Sequence, residues 1–434
     1  MHRHVASGQR LVLGLSGGID SVVLLHALQR YAVAHEVQVS CVHIHHGLSA
    51  RADEWADFCL QLCATHAIPL TIHRVTVDCR DPAGIEAAAR TARGAVFARL
   101  DADFVLTAHH QNDQAETLLL QLLRGAGPKG LAAMAERQQH DGWRAAQLRP
   151  LLGVTRAAIE DYAHAHALAW VEDDSNSDSA YSRNYLRQTL MPLLTCRFPA
   201  AVPILARSAA LQADASALLN DMASLDARQC VTADRLDCAC LSALSLARAR
   251  NLLRWFIERH GHRMPSERRL NEGLRQILHA APDAGVRVSL IPGIELRRYR
   301  GSAYLVPIQN CSQQSVVTWR GESQLRLEQA GYAVLMTRVQ GAGLSAARLE
   351  SARVEVGVRR GGERMRLNQT GAHRSLKNLM QESTLPPWQR ACVPLVWCDG
   401  QLVWADGIGF DVDYLATADE PGIVPVCRAS GAAR

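Results

Sequence analysis

The sequence predicts an α/β first domain on a parallel sheet, then a mainly helical domain and a small α+β C-terminal domain. Three observations carry that expectation. Strand-like and helix-like stretches alternate up to about Ala108, the pattern turns helical from about Thr155 to Gly261, and short strands return around Val286–Val306 and again from Val354. Alternation at the first interval means parallel strands joined by helices on both faces of one sheet. A chain of 434 residues is also too long for one core, so two or three domains are expected.

The elements follow in order. Leu11–Leu15 is a short apolar run, and Asp20–Tyr31 has helical spacing with Val22, Val23, Leu25 and Leu28 apolar. Val37–Ile44 reads as a second strand and Asp53–His66 as a helix. Leu70–Val77 alternates as a third strand, Ile85–Leu100 is helical, and Phe104–Ala108 is a fourth strand. Leu205–Leu219 looks like a long connecting helix, Pro292-Gly293 is a turn between short strands, and Asn310–Gly343 has little periodicity, as a boundary region would.

Composition narrows the classes. The chain is 48% hydrophobic and 21% charged, ordinary for a soluble globular protein and unlike a disordered one. No run approaches the roughly 18 apolar residues of a membrane span, and Leu11–Leu15 is too short for a signal-peptide core, so a cytoplasmic protein with no membrane association is expected. The 12 cysteines are irregularly spaced and include no C-x-x-C, which speaks against zinc ribbons and thioredoxin-like chemistry and for buried free thiols. Net charge is +5, and of the 47 basic residues only Lys129 and Lys377 are lysine. A genome rich in G and C explains the arginines; a lysine retained against that bias hints at a place where the planar fork does not fit.

The strongest motif is Leu11-Val-Leu-Gly-Leu-Ser-Gly-Gly-Ile-Asp-Ser21, a strand running through Ser16-Gly17-Gly18 into a helix that includes Ile19, Asp20 and Ser21. Two glycines allow a tight turn that aims backbone N–H groups, at the positive end of a helix dipole, towards a phosphate. Ser16 and Ser21 add hydroxyls, and Asp20 is an acceptor placed to hold magnesium. A Walker A loop is absent. Such a strand–loop–helix resembles the pyrophosphate-loop ATPases, and that resemblance implies cleavage of ATP between its α and β phosphates.

Further blocks surround it. Val42-His-Ile-His-His-Gly-Leu48 closes the second strand, with His43 and His45 pointing one way and His46 opening the loop; lining a nucleotide crevice suits it better than a metal site. In Thr107-Ala-His-His-Gln-Asn-Asp-Gln-Ala-Glu-Thr117, Asp113 and Glu116 are three apart and share a helix face, either complementing the dipole or forming part of a site. After Arg149-Pro-Leu-Leu152 come Glu172-Asp-Asp-Ser-Asn176 and Arg183-Asn-Tyr-Leu-Arg187. There Arg183 and Arg187 lie one helical turn apart and read as a clamp on phosphates or RNA.

Together these blocks resemble the tRNA(Ile)-lysidine synthetases over essentially the whole chain. The tail joins in through Arg359-Arg-Gly-Gly-Glu-Arg364, Leu376-Lys-Asn-Leu379, Pro386-Pro-Trp-Gln-Arg390 and Val393-Pro-Leu-Val396. One departure is Asn112, where many relatives have a second aspartate. The resemblance implies a pyrophosphate-loop catalytic domain over 1–215, a helical substrate- and tRNA-binding domain over 216–310, a linker region over 311–353 and a C-terminal tRNA-binding domain over 354–434. It implies ATP and Mg2+ as cofactors, and free L-lysine and a CAU-anticodon isoleucine tRNA as substrates. The oligomeric state, monomer or homodimer, stays open.

That reaction adenylates O2 of the wobble cytidine, releases pyrophosphate, and lets the lysine ε-amine displace AMP. An ammonium of pKa ~10.4 must lose its proton near neutrality, against roughly 4 kcal/mol. Asp113 is the first candidate for that work, with Glu116 and His109 behind it, while Asp20 and Arg183 are expected at the pyrophosphate. Arg90 and Arg93 either hold tRNA or nucleotide or belong to a solvated helix face. Residues 353–390 hold eight Arg/Lys against three acids, whereas 391–434 hold two arginines against six acids. A one-sided RNA footprint follows, with Arg359, Arg360, Arg364, Arg374 and Lys377 as candidate contacts. Trp388 reads equally as a base-stacking or a packing residue. Two alternatives remain: a tRNA sulfurtransferase of the same loop family, which would usually need a C-x-x-C, and a non-catalytic tRNA-binding protein with a vestigial nucleotide fold.

Overall fold

The computed structural model describes the chain except for residues 2, 79, 82–83, 173–181, 282–284, 309–315, 328–331, 384 and 430–434. It divides into two compact units, Met1–Met222 and Ala223–Arg434.

The first unit alternates as the sequence leads one to expect: β1 (Arg10–Gly14), α1 (Ile19–His35), β2 (Gln38–His45), α2 (Ala52–Thr65), β3 (Leu70–Arg74), α3 (Ile85–Phe97), β4 (Phe104–Leu106) and α4 (Gln111–Leu123). There follow α5 (Pro128–Leu131), β5 (Arg137–Gln138), β6 (Ala146–Leu148) and α6 (Arg156–Ala165). The sheet order is β3-β2-β1-β4-β6-β5, parallel except for β5. Leu11, Leu13, Leu106 and Leu148 are buried in it, because strands covered on both faces need apolar residues on both. The chain steps from β1 outward to β2 and β3, then returns to the other side of β1 as β4. The crevice at the carboxyl ends of β1 and β4 is therefore the topological switch point, where open α/β sheets bind ligands. Short helices α7 (Ser182–Tyr185) and α8 (Met191–Arg197) flank a π-helical turn, Leu186–Leu190. The expected connecting helix is longer than Leu205–Leu219; α9 runs from Ala201 to Cys230 and continues past Met222.

In the second unit, helices Leu246–Arg259 and Glu267–His279 pack Leu252, Phe256, Leu270, Leu274 and Ile277 against a five-stranded antiparallel sheet that includes Arg287–Ile291, Ile294–Tyr299 and Ser302–Pro307. Within the stretch expected as a linker, the described residues form strands. Val316–Trp319 pairs with Val354–Gly357, and Tyr332–Gln340 pairs with Pro421–Ala429 over nine residues. These strands share one core through Trp319, Val334, Met336, Val356 and Ile423. Periodicity was hidden there because several of these strands are only two to four residues long, with glycines between them.

One further expectation is corrected. Cys230 and Cys240 form a disulfide, since a two-stranded turn (Val231–Thr232 and Arg235–Asp237) folds the second back onto the first, with Cα atoms 5.3 Å apart. Cys41, Cys59, Cys63, Cys238 and Cys398 are buried thiols as expected. Of the two readings of Trp388, its contacts favour packing: it lies edge-on against Tyr304 and Tyr299, with Arg297 over its ring. No single helix among the described residues is long and apolar enough to cross a membrane.

Candidate active site

The loop after β1 is built around Gly17. Its φ of +88° favours glycine, and a Cβ there would meet Val171 Cγ2 at 2.8 Å and Cys59 Sγ at 3.2 Å. Val171 N donates to Gly17 O at 3.0 Å, which straps the loop from above. Ser21 Oγ donates to Gly18 O at 2.8 Å and accepts from Gly17 N at 3.2 Å, with Ser16 Oγ 3.1 Å away. Gly18 caps α1 with extended backbone and no side-chain acceptor, so the first-turn N–H groups lack a side-chain cap. His43 Nδ1 lies 2.9 Å from Leu15 O and braces the loop's entry, while His46 opens the loop after the adjacent β2.

Asp20 lies on the first turn of α1. Arg156 Nη1 donates to both of its carboxylate oxygens, at 2.9 and 2.8 Å, and His110 Nε2 is 3.8 Å away. Burial raises the Asp20 carboxyl, partly offset by His110 and Arg156. Arg156 is a site residue that the sequence reading missed. It stands first on α6, beside the N-cap Thr155, where the helix dipole disfavours a cation. That misplaced charge was the available signal. Asn112 Oδ1 accepts from Arg156 N at 3.0 Å, so the departure at Asn112 holds the start of α6.

Asp113 and Glu116 come together on the buried face of α4, with Arg183 and Arg187 closing over them. Arg183 reaches Asp113 Oδ1 at 2.9 Å and Glu116 Oε2 at 3.1 Å. Arg187 reaches Asp113 Oδ1 at 2.9 Å and Glu116 at 2.8 and 3.1 Å. Asp113 Oδ2 also accepts from His110 N at 3.0 Å. Burial alone would raise the Asp113 carboxyl, but His110, Arg183 and the His110 amide outweigh it and hold it below its ordinary value. This changes two expectations. The arginine clamp is closed on carboxylates, and a carboxyl held low is a weaker base than an ordinary aspartate. Of the acidic block preceding Arg183, residues 173–176 lie outside the described residues.

His109 follows β4, its Nδ1 3.0 Å from Thr107 Oγ1. Burial, with Arg149, Arg183 and Arg93 adding and Asp113 opposing, lowers it to about 3. Arg93 therefore acts on this site from α3; Arg90 lies exposed on the same helix. In the second unit, Arg359 contacts Glu363, Arg360 pairs with Glu355 beneath the Trp397 ring, Arg374 pairs with Glu382, and Arg364 donates to His373 O. Lys377 is exposed on helix Leu376–Glu382, with no ion pair among the described residues.

The arrangement can seat a polyphosphate on the Ser16–Ser21 loop and hold a second, cationic or anionic, group at the α4 cluster beside it. Three family models match: a PP-loop domain over residues 2–194, a TilS substrate binding domain over 236–304 and a TilS substrate C-terminal domain over 354–427. Proteins named tRNA(Ile)-lysidine synthase are similar throughout. The one from Nitrosomonas europaea is 41% identical over 98% of this chain and 93% of its own length. That from an Azoarcus species is 40% identical over 99% and 94%, and that from Ralstonia nicotianae 42% identical over 94% and 90%. A pyrophosphate loop at the switch point, two further matching domains and relatives aligned nearly end to end lead to one conclusion: the chain belongs to the ATP-using tRNA(Ile)-lysidine synthase family.

Proposed function

We propose that this enzyme ligates free L-lysine to C2 of the wobble cytidine of a CAU-anticodon isoleucine tRNA, in the cytoplasm, through an adenylated-tRNA intermediate with release of pyrophosphate and then AMP. The product base pairs with A instead of G, which changes codon reading from AUG to AUA and identity from methionine to isoleucine. The observation that carries this reading is the juxtaposition of a phosphate loop with a separate carboxylate–arginine cluster on one sheet edge. Two-step chemistry needs both: a seat for the leaving pyrophosphate and a seat for an ammonium nucleophile.

The backbone N–H groups of Ile19 and Asp20, at the uncapped start of α1, take up the charge that grows on pyrophosphate. Asp20 fits as the protein's ligand to Mg2+, which commonly takes one or two carboxylates and completes its shell with substrate phosphates and water. Bound there, magnesium would neutralise phosphate charge. Arg156 must release Asp20 for this.

Every carboxylate oxygen at Asp113 and Glu116 already meets a donor. The lysine ammonium docks there by displacing Arg187, whose side chain is 41% exposed against 20% for Arg183. Arg187 is then released towards RNA phosphate. In this scheme Asp113 docks the amine and does not deprotonate it. Labelled lysine incubated with ATP and an unmodified CAU transcript tests the reading. Label should enter the tRNA only with ATP present and only with cytidine at the wobble position; equal labelling of a uridine-substituted transcript overturns it.

A further inference from the structure

Behind His109 runs a buried chain of polar side chains that the scheme above leaves unused. Arg149 is 6% exposed and donates through Nη2 to Gln147 Oε1 at 2.7 Å; His140 Nε2 lies 2.8 Å from the same oxygen. Arginine has donors only, so this contact settles which end of the Gln147 amide is oxygen. Gln147 Nε2 then donates to Thr107 Oγ1 at 3.0 Å. Thr107 is itself buried, and its hydroxyl hydrogen needs an acceptor. Among the described residues the acceptor within reach is His109 Nδ1, at 3.0 Å. Each link sets the direction of the next.

We propose that this relay fixes His109 as the neutral tautomer protonated on Nε2, and that Nε2–H is a hydrogen-bond donor to an anionic oxygen of the bound substrates. The inference rests on the function proposed above. With Nδ1 accepting from a hydroxyl and Nε2 protonated, the ring has no lone pair for the lysine proton, so His109 is not the base. Burial and three surrounding arginines keep it from becoming a cation. What remains is a fixed N–H dipole in arginine-rich surroundings, a preorganised arrangement of the kind that stabilises developing negative charge. Thr107, Gln147 and Arg149 act through His109 and are positioning residues.

The test uses the full chain with isotope-labelled histidine, its ring nitrogens read by NMR. His109 should be neutral and Nε2-protonated from about pH 5 to 8, a range in which an ordinary histidine changes charge. An Nδ1-protonated ring or an imidazolium overturns the proposal without any variant. Thr107→Val should mix the tautomers and lower kcat by roughly tenfold to a hundredfold, as lost orienting partners of histidines do, and Thr107→Ser should restore both. Slower pyrophosphate release in that variant identifies the oxygen as the phosphate of the adenylate. A raised KM for lysine with normal pyrophosphate release identifies it as the lysine carboxylate. Unchanged tautomer and rates in Thr107→Val contradict the relay. Wild-type enzyme that fails to incorporate lysine counts against the function reading and leaves the tautomer measurement standing.

Discussion

Arg156 and Asp20 are 136 residues apart in sequence and form the closest ion pair at the phosphate loop. Both side chains are partly exposed, so the pair is worth under about 1 kcal/mol. Arg156→Ala should therefore lower the Mg2+ concentration for half-maximal pyrophosphate release by about threefold, the fold-change of an exposed pair. A higher magnesium requirement in that variant would mean that Arg156 binds the nucleotide directly. Asp20→Asn removes the proposed metal ligand and no RNA contact, so pyrophosphate release should vanish while tRNA binding persists. Wild-type release by this variant sinks the assignment. Asp20 was legible because strand, glycines and helix start are contiguous. Arg156 was not, because its partner is fixed only once α6 packs against α1.

At the scale of elements, the loop and the α4 cluster make separate demands. Gly17→Ala combines a positive φ with a close contact to Val171, strain of about 1–3 kcal/mol in a loop that has to be in place for ATP. Nucleotide affinity should fall while the unit stays folded, and unaltered affinity contradicts the loop's role. The Asp113 and Glu116 pairs tie α4 to α7 and the π-helical turn. The Asp113 carboxyl lies below its unfolded value of ~3.9, so its stabilising contribution is complete above that value and is lost as pH falls through the folded one. Asp113→Asn should cost about 3 kcal/mol at neutral pH, as breaking a buried pair does. Chemical denaturation should show that difference shrinking below about pH 4; a difference that grows towards acid contradicts the pairing. Strands β1 to β4 were legible to within a few residues because β1 and β4 are continuous apolar runs and β2 and β3 are long enough to show alternation. Strands Val316–Trp319 and Gln324–Leu327 were not, since a four-residue strand carries too few alternations to stand out.

Across the whole molecule, tRNA selection must reach beyond the anticodon, because methionine tRNA carries the same CAU. Lys377 is one of the two exposed lysines that escaped the arginine bias and the one in the C-terminal region, so Lys377→Glu should weaken binding of isoleucine tRNA and reduce the salt dependence by about one phosphate contact. No change in either would remove this helix from the RNA interface. Substitution is the fair test here. Truncation at Val354 would strip the partners of Val316–Trp319 and Tyr332–Gln340 and break up the core those strands share, so lost binding could not be laid to a contact with RNA. In the proposed scheme the switch-point crevice activates the RNA and not the amino acid. Pyrophosphate release measured without lysine tests it most directly. With ATP and the unmodified isoleucine transcript alone, the account predicts release and a wobble nucleotide heavier by one AMP, which lysine then discharges. Release that requires lysine and proceeds without tRNA would mean that the enzyme adenylates the amino acid, and would contradict it.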